Sequence, residues 1–291
     1  MQIAAFDIGG TALKMGVVTR EGEILAKAKA TINDSDGDEI LQAILHWVET
    51  HPDCQGIALS APGYVNPHTG FIEMGGAIRR FDNFAIKDWL EERTHLPVAI
   101  ENDANCVLLA ERWQGKAAAL SDFLVLTIGT GIGGAIFCNN QLVRGARFRG
   151  GEFGYMFTER PGTRHPTHYT MNATCTMRVL RHRYSQHTGK ALNDVSGEEI
   201  FDASDAGDVT CQRLVDDFFN GIGAGLYNLV NLFDPQTILL GGGITERPGF
   251  LAQLKAHLVW FGIDEHVDTV SHGNDAGLLG AVYHFNQQSE R

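Results

Sequence analysis

One unit constrains this chain more than any other feature: a strand, a glycine turn and a second strand, occurring twice about 120 residues apart. Ile3–Ile8 runs into Gly9-Gly10-Thr11 and leaves through Lys14–Val18. Phe123–Ile128 runs into Gly129–Gly134 and leaves through Ala135–Cys138. The flanking runs are apolar and β-favouring, and the glycines permit the tight reversal between them. Two such starts predict two similar half-molecules, with a break near Gly115–Ser121. Further strands are expected at Ile57–Ala61 and Thr237–Leu240. Helical periodicity covers Asp38–Thr50, Ile86–Thr94, Ala104–Trp113, Met177–His187, Cys211–Phe233 and Gly277–Phe285. Alternating strands and helices give the α/β class. Phe157–Asn172, with two prolines and weak periodicity, reads as a long loop, and long loops inside compact domains often carry function.

The chain holds 34 glycines in 291 residues, where average usage near 7% would give about 20. Their placement matters more than their number. Gly129-Thr130-Gly131-Ile132-Gly133-Gly134 satisfies the dinucleotide fingerprint G-x-G-x-x-G, but that motif must open a helix within a βαβ unit. Here the β-like Ala135-Ile136-Phe137-Cys138 follows, so a dinucleotide domain is rejected. A glycine hairpin instead exposes backbone N–H donors suited to phosphate. In the first hairpin Thr11 adds a hydroxyl, and Asp7 adds a carboxylate suited to a hydrated Mg²⁺. Gly241-Gly242-Gly243 follows a buried strand and lets a planar ring approach the backbone. Any one of these clusters alone reads as a plain turn; the three together point to phosphate binding.

The net charge of −12 argues against a nucleic-acid groove and a polybasic membrane surface, yet leaves room for a phosphate ligand held by amides. Five widely spaced cysteines form no C-x-x-C pair, which fits reduced thiols and a cytoplasmic location. No stretch reads as a membrane span or a signal peptide.

With these pieces in order, the chain resembles the ROK sugar kinases, within the actin/hexokinase-like ATPase fold. The resemblance rests on Phe6-Asp7-Ile8-Gly9-Gly10-Thr11, Glu101-Asn102-Asp103-Ala104-Asn105, Ile128–Gly134, Gly151-Glu152-Phe153-Gly154, Leu240–Gly243 and Asp275–Ala281. It implies two domains around a cleft. One spans residues 1–117 and takes back a C-terminal helix near 275–291, and the other spans 118–274. It further implies ATP and Mg²⁺, with Asp7, Gly9, Gly10, Thr11, Gly129, Thr130, Gly131, Gly133, Gly242 and Gly243 meeting the nucleotide. Asp103 would take the proton from a sugar 6-hydroxyl, and Gly63, Asn102, Glu152 and Tyr155 would meet the sugar. The residues themselves leave a plainer role open for Asp103, since Asp, like Asn102 and Asn105, caps helices well. A homodimer is the assembly the resemblance implies.

Gly75–Phe84 and Val270–Asp275 look most like family members acting on β-glucosides. The chain also departs from most of the family, which carries His after Glu-x-Gly and then a cysteine cluster building a Cys₃His zinc site. Tyr155 stands at the histidine position and Cys175 is the sole thiol nearby, so no zinc is expected. The glutamate that follows those cysteines corresponds to Met177. Losing two polar clamps near the anomeric carbon should admit a substituted sugar, and Tyr155 can stack on a second ring. The expected reaction is therefore ATP-dependent phosphorylation of the 6-hydroxyl of the non-reducing glucose of cellobiose and other β-glucosides. The alternatives are another ROK hexokinase, for glucose, fructose or an amino sugar, and a non-catalytic sugar sensor. Lys14 is a further candidate beside the first hairpin. Arg79 and Arg80 are candidates for sugar or phosphate contact, against a plain reading as solvated surface.

Overall fold

The computed structural model describes residues 1–32 and 36–289. The chain begins with the antiparallel hairpin β1 (Gln2–Ile8) and β2 (Ala12–Thr19), followed by β3 (Ile24–Thr31), helix α1 (Gly37–Thr50) and β4 (Cys54–Ala61). A small antiparallel sheet of β5 (Tyr64–Asn66), β6 (Phe71–Met74) and β7 (Phe84–Ala85) comes next. It leads to α2 (Ile86–Thr94), β8 (Val98–Asn102) and α3 (Asp103–Gln114). The principal sheet runs in the order β3-β2-β1-β4-β8, with β1, β4 and β8 parallel.

The second hairpin joins β9 (Phe123–Ile128) to β10 (Ile132–Cys138), pairing Ile132 with Ile128 and Phe137 with Phe123. This antiparallel return is what removes the helix a dinucleotide fingerprint needs. After β11 (Gln141–Leu142) come the short α4 (Met171–Thr174), α5 (Met177–Thr188), α6 (Gly197–Asp205) and the 25-residue α7 (Val209–Phe233). Then follow β12 (Thr237–Gly241), α8 (Phe250–Phe261) and β13 (Val267–Thr269). The sheet order is β11-β10-β9-β12-β13, with β9, β12 and β13 parallel, so it repeats the hairpin-then-parallel plan of the first. The last helix is α9 (Ala276–Ser289).

The chain divides into two units. The first comprises Met1–Leu120, Leu142–Gly150 and Asn274–Arg291, and the second Ser121–Gln141 and Gly151–Gly273. Residues Leu142–Gly150 correct the expected domain limits, which placed them in the second domain. They belong with the first because Arg144 pairs with Glu101 and Arg149 with Glu73. The first unit has one core between its sheet and α1, around Phe6, Leu59, Ile100 and Phe81, and another where α9 and α3 pack on the opposite face. The second unit has its own core of aromatics from α6, α7 and α8, including Phe201, Phe218, Phe219 and Phe250.

Phe157–Asn172 is largely irregular, with one bridge from Phe157 to Thr170 and a 3-10 turn at Pro166–Tyr169. Among the described residues, no helix is long and apolar enough to cross a membrane.

Candidate active site

In the first unit, sheet register decides what surrounds Asp7. It lies opposite Lys14 on β2 and beside Ser60 on β4. Its Oδ2 pairs with Lys14 Nζ at 2.9 Å, and its Oδ1 accepts from Ser60 Oγ at 2.7 Å. Helix α9 starts against the same carboxylate: a Cβ on Gly277 would sit 2.3 Å from Asp7 Cγ, so only glycine allows this approach. The turn that follows is closed by Gly9 N–H donating to Ala12 O, leaving Thr11 exposed at its tip. Lys14 thus serves Asp7 directly. Ser60 escaped sequence reading because only the β1–β4 register links it to Asp7.

The end of β8 builds the second cluster of this unit. Asn102 is the N-cap of α3, its Oδ1 accepting from Ala104 and Asn105 N–H, while its Nδ2 donates to Gly63 O at 3.1 Å. Gly63 has φ +91°, and a Cβ there would lie 1.8 Å from Met74 O, so the position demands glycine. Asp103 occupies the first helical position, with Oδ1 accepting from Ala104 N–H at 2.8 Å. Asn102 and Asp103 therefore share the capping role, and the structure brings Gly63, Asn102 and Asp103 together. Burial, then the charges of Glu101 and Asp7, pushes the Cys106 thiol well up, so it stays protonated behind this cluster. Arg79 and Arg80 are spent on surface pairs, with Asp82 and Asp38 respectively, and Arg80 also lies over the Phe84 ring.

In the second unit, the turn Gly129-Thr130-Gly131 is closed by Gly129 N–H donating to Gly131 O, with Thr130 and Gly131 exposed. Gly242, at φ +102°, packs on the same strand end: a Cβ would meet Ile128 O at 2.2 Å. Gly243 beside it is exposed, with open space where a Cβ would be. Glu152 is half-buried and precedes a 3-10 turn at Phe153–Tyr155. Glycines fix that turn against the hairpin. Cβ atoms on Gly134, Gly151 and Gly154 would strike Phe153, Gly134 O and Ile132 O respectively, and Asn172 Oδ1 accepts from Ile132 N–H at 2.8 Å. Gly134, inside the fingerprint match, is thus a packing position, while Gly133 lies half-buried in β10. Tyr155 projects outward, 49% exposed. Met177 packs at the start of α5, where its methyl would meet a Cβ on Gly197.

A profile of the ROK family matches residues 3–288. A Beta-glucoside kinase of Klebsiella pneumoniae is 71% identical, over 99% of this chain and 97% of that protein. A Listeria monocytogenes structure, whose name proposes an N-acetylmannosamine kinase, is 61% identical with a TM-score of 0.95, covering 99% of this chain and 100% of that one. A ROK family protein from Streptococcus pneumoniae TIGR4 in complex with sucrose is 31% identical with a TM-score of 0.85, over 100% and 99% of the two chains.

Proposed function

The chain belongs to the ROK family and is a sugar kinase, and from that premise we propose that it transfers the γ-phosphoryl group of ATP to the 6-hydroxyl of the non-reducing glucose of cellobiose and other β-glucosides. The products are ADP and a 6-phospho-β-glucoside. The observation that carries the sugar specificity is Tyr155. An aromatic ring, 49% exposed, follows the Glu152–Gly154 turn where most of the family has a histidine. A ring at that place offers a stacking face to an aglycone and no polar clamp for a free anomeric hydroxyl. The name of the Klebsiella relative supports the same reading, and the sucrose complex supports accommodation of a disaccharide.

In this reading Asp103 accepts the proton of the 6-hydroxyl as that oxygen bonds to the γ-phosphorus and the bond to the β-phosphate oxygen breaks. Phosphoryl transfer asks mainly for alignment and charge stabilisation, with one proton acceptor. Asn102, Gly63 and Glu152 hold the ring hydroxyls. The amides of Gly10, Thr11, Thr130 and Gly131 are assigned to the phosphates, with Gly9, Gly129 and Gly133 shaping the turns that present them, and Gly242 and Gly243 to the adenosine.

Asp7 fits a hydrated Mg²⁺. Lys14 Nζ holds its Oδ2 and Ser60 Oγ its Oδ1, which fixes the carboxylate at the strand end where it can accept from water bound to the ion. When bound, the ion neutralises phosphate charge. The free thiols and the need for ATP fit a cytoplasmic enzyme.

A second reading, a kinase for a free hexose or amino sugar, is favoured by the name of the Listeria structure. Coupled ADP release on cellobiose, glucose, fructose and N-acetylmannosamine separates the two, with NMR fixing the phosphorylated position. Cellobiose should exceed each monosaccharide at least tenfold in kcat/KM. A monosaccharide preferred over cellobiose would reject the β-glucoside assignment.

A further inference from the structure

We propose that Glu101 is a positioning residue for Asp103, and that Arg144 is the counter-charge that keeps it in place. This rests on the reading of Asp103 as the base.

Glu101 is 1% exposed at the end of β8. Its Oε1 accepts from the Asn102 N–H and from Asn105 Nδ2, both at 2.9 Å, and its Oε2 accepts from Arg144 Nε at 2.7 Å. A buried carboxylate is costly to keep, and an apolar side chain of similar size is commonly the cheaper choice. Capping does not explain it, because Asn102 already caps α3. What Glu101 adds is a grip on the peptide immediately before the cap and on the side chain of the third helical residue. Asn102 in turn holds Ala104, Asn105 and Gly63. The backbone carrying Asp103 is thereby fixed from both directions, the kind of support that keeps a reacting group within fractions of an ångström of its place.

Arg144 is the cation this arrangement uses at neutral pH. A second basic group beside Glu101 is His284, whose Nδ1 lies 4.0 Å from Glu101 Oε2. Gln288 Nε2 donates to Pro67 O, which fixes its orientation, and donates also to His284 Nε2. His284 therefore carries its proton on Nδ1 and is neutral; burial, foremost, lowers its pKa to about 4. Arg144 and His284 lie side by side in the lining of a cavity of about 270 Å³, with Pro67, His68, Gln287 and Gln288. No acid in that lining competes for the guanidinium.

The test is a kinetic cycle in the full-length protein with ATP and its best sugar. Glu101→Gln keeps the shape and an acceptor but turns a donor toward Arg144. It should lower kcat about 10–100-fold, the scale of a slightly misplaced reacting group, with KM for ATP within twofold. In an Asp103→Asn background the same change should cost less than twofold, because its effect passes through Asp103. Arg144→Lys keeps the charge and loses the planar fork, and should lower kcat several-fold with KM for ATP unchanged; it decides the matter if Glu101→Gln does not fold. Unchanged kcat in the single variants, or an equal loss in the Asp103→Asn background, overturns the proposal. Failure of the underlying reading looks different: no sugar turnover by the native protein, or full turnover by Asp103→Asn.

Discussion

His284 shows at the scale of one residue how burial converts into a pH dependence. It is 3% exposed in α9, faces Glu101 and Arg144, and has His68 nearby; its pKa falls to about 4 from an ordinary 6.5. A lowered histidine pKa means that the unfolded chain binds a proton which the folded chain refuses. Stability contributed by the neutral ring is complete above about pH 6.5 and is lost as pH falls toward 4. At pH 5 the cost is about 2 kcal/mol relative to pH 7.5. Urea unfolding at the two pH values should show a drop larger by that amount in the native protein than in His284→Gln, which cannot charge. Equal drops in both would remove His284 as the source. This buried ring, like Glu101, sits within a run that sequence reading had recognised, but neither announces a partner there. Glu101 meets Arg144 across 43 positions of chain, a pairing that tertiary placement alone creates. The residues legible from sequence were those whose chemistry is local: Asp7 with its glycines, and the Asn102-Asp103 cap.

Elements were legible where periodicity was undiluted. Both hairpins and the long α7 lie where apolar β-favouring runs around glycine turns and helical spacing put them. β3 was missed because its Ala/Lys alternation on an exposed edge holds little apolar signal. α8 was missed because Val259 and Trp260, 63% and 84% exposed, blur its apolar stripe. Packing of α9 against α3 depends on a feature that periodicity cannot reveal. A Cβ on Gly280 would lie 1.7 Å from Cys106 O, in backbone that cannot step aside. In an ordinary helix Gly→Ala gains up to about 1 kcal/mol from propensity. Here overpacking opposes it by about 3 kcal/mol or more, so Gly280→Ala should shift the denaturant midpoint downward. A neutral or upward shift would mean that the two helices separate easily.

At the scale of the molecule, sequence reading found the duplicated plan, and the structure shows its physical expression: two sheets of like order, each with its own core. The first unit, however, is not contiguous in sequence. Its sheet runs from Gln2 to Asn102, yet one face of that sheet is covered by α9, which arrives after the whole of the second unit. Leu278, Leu279, Val282 and Phe285 bury there against Ile3, Ala5, Val18 and Ala58, and the Phe285 ring fills the space over Gly56. Four such side chains are worth about 6–12 kcal/mol at the usual value for complete burial. That equals the entire stability of a typical domain. A chain ending at Gly273 should therefore lose the first unit while the second keeps its aromatic core. Hydrogen exchange checks this directly: amides of β1, β4 and β8 should exchange freely in the truncated chain while those of α7 and β12 stay protected. Protection retained in β1 would show that α9 covers the sheet without holding it together, and the last helix would then be an accessory to the fold.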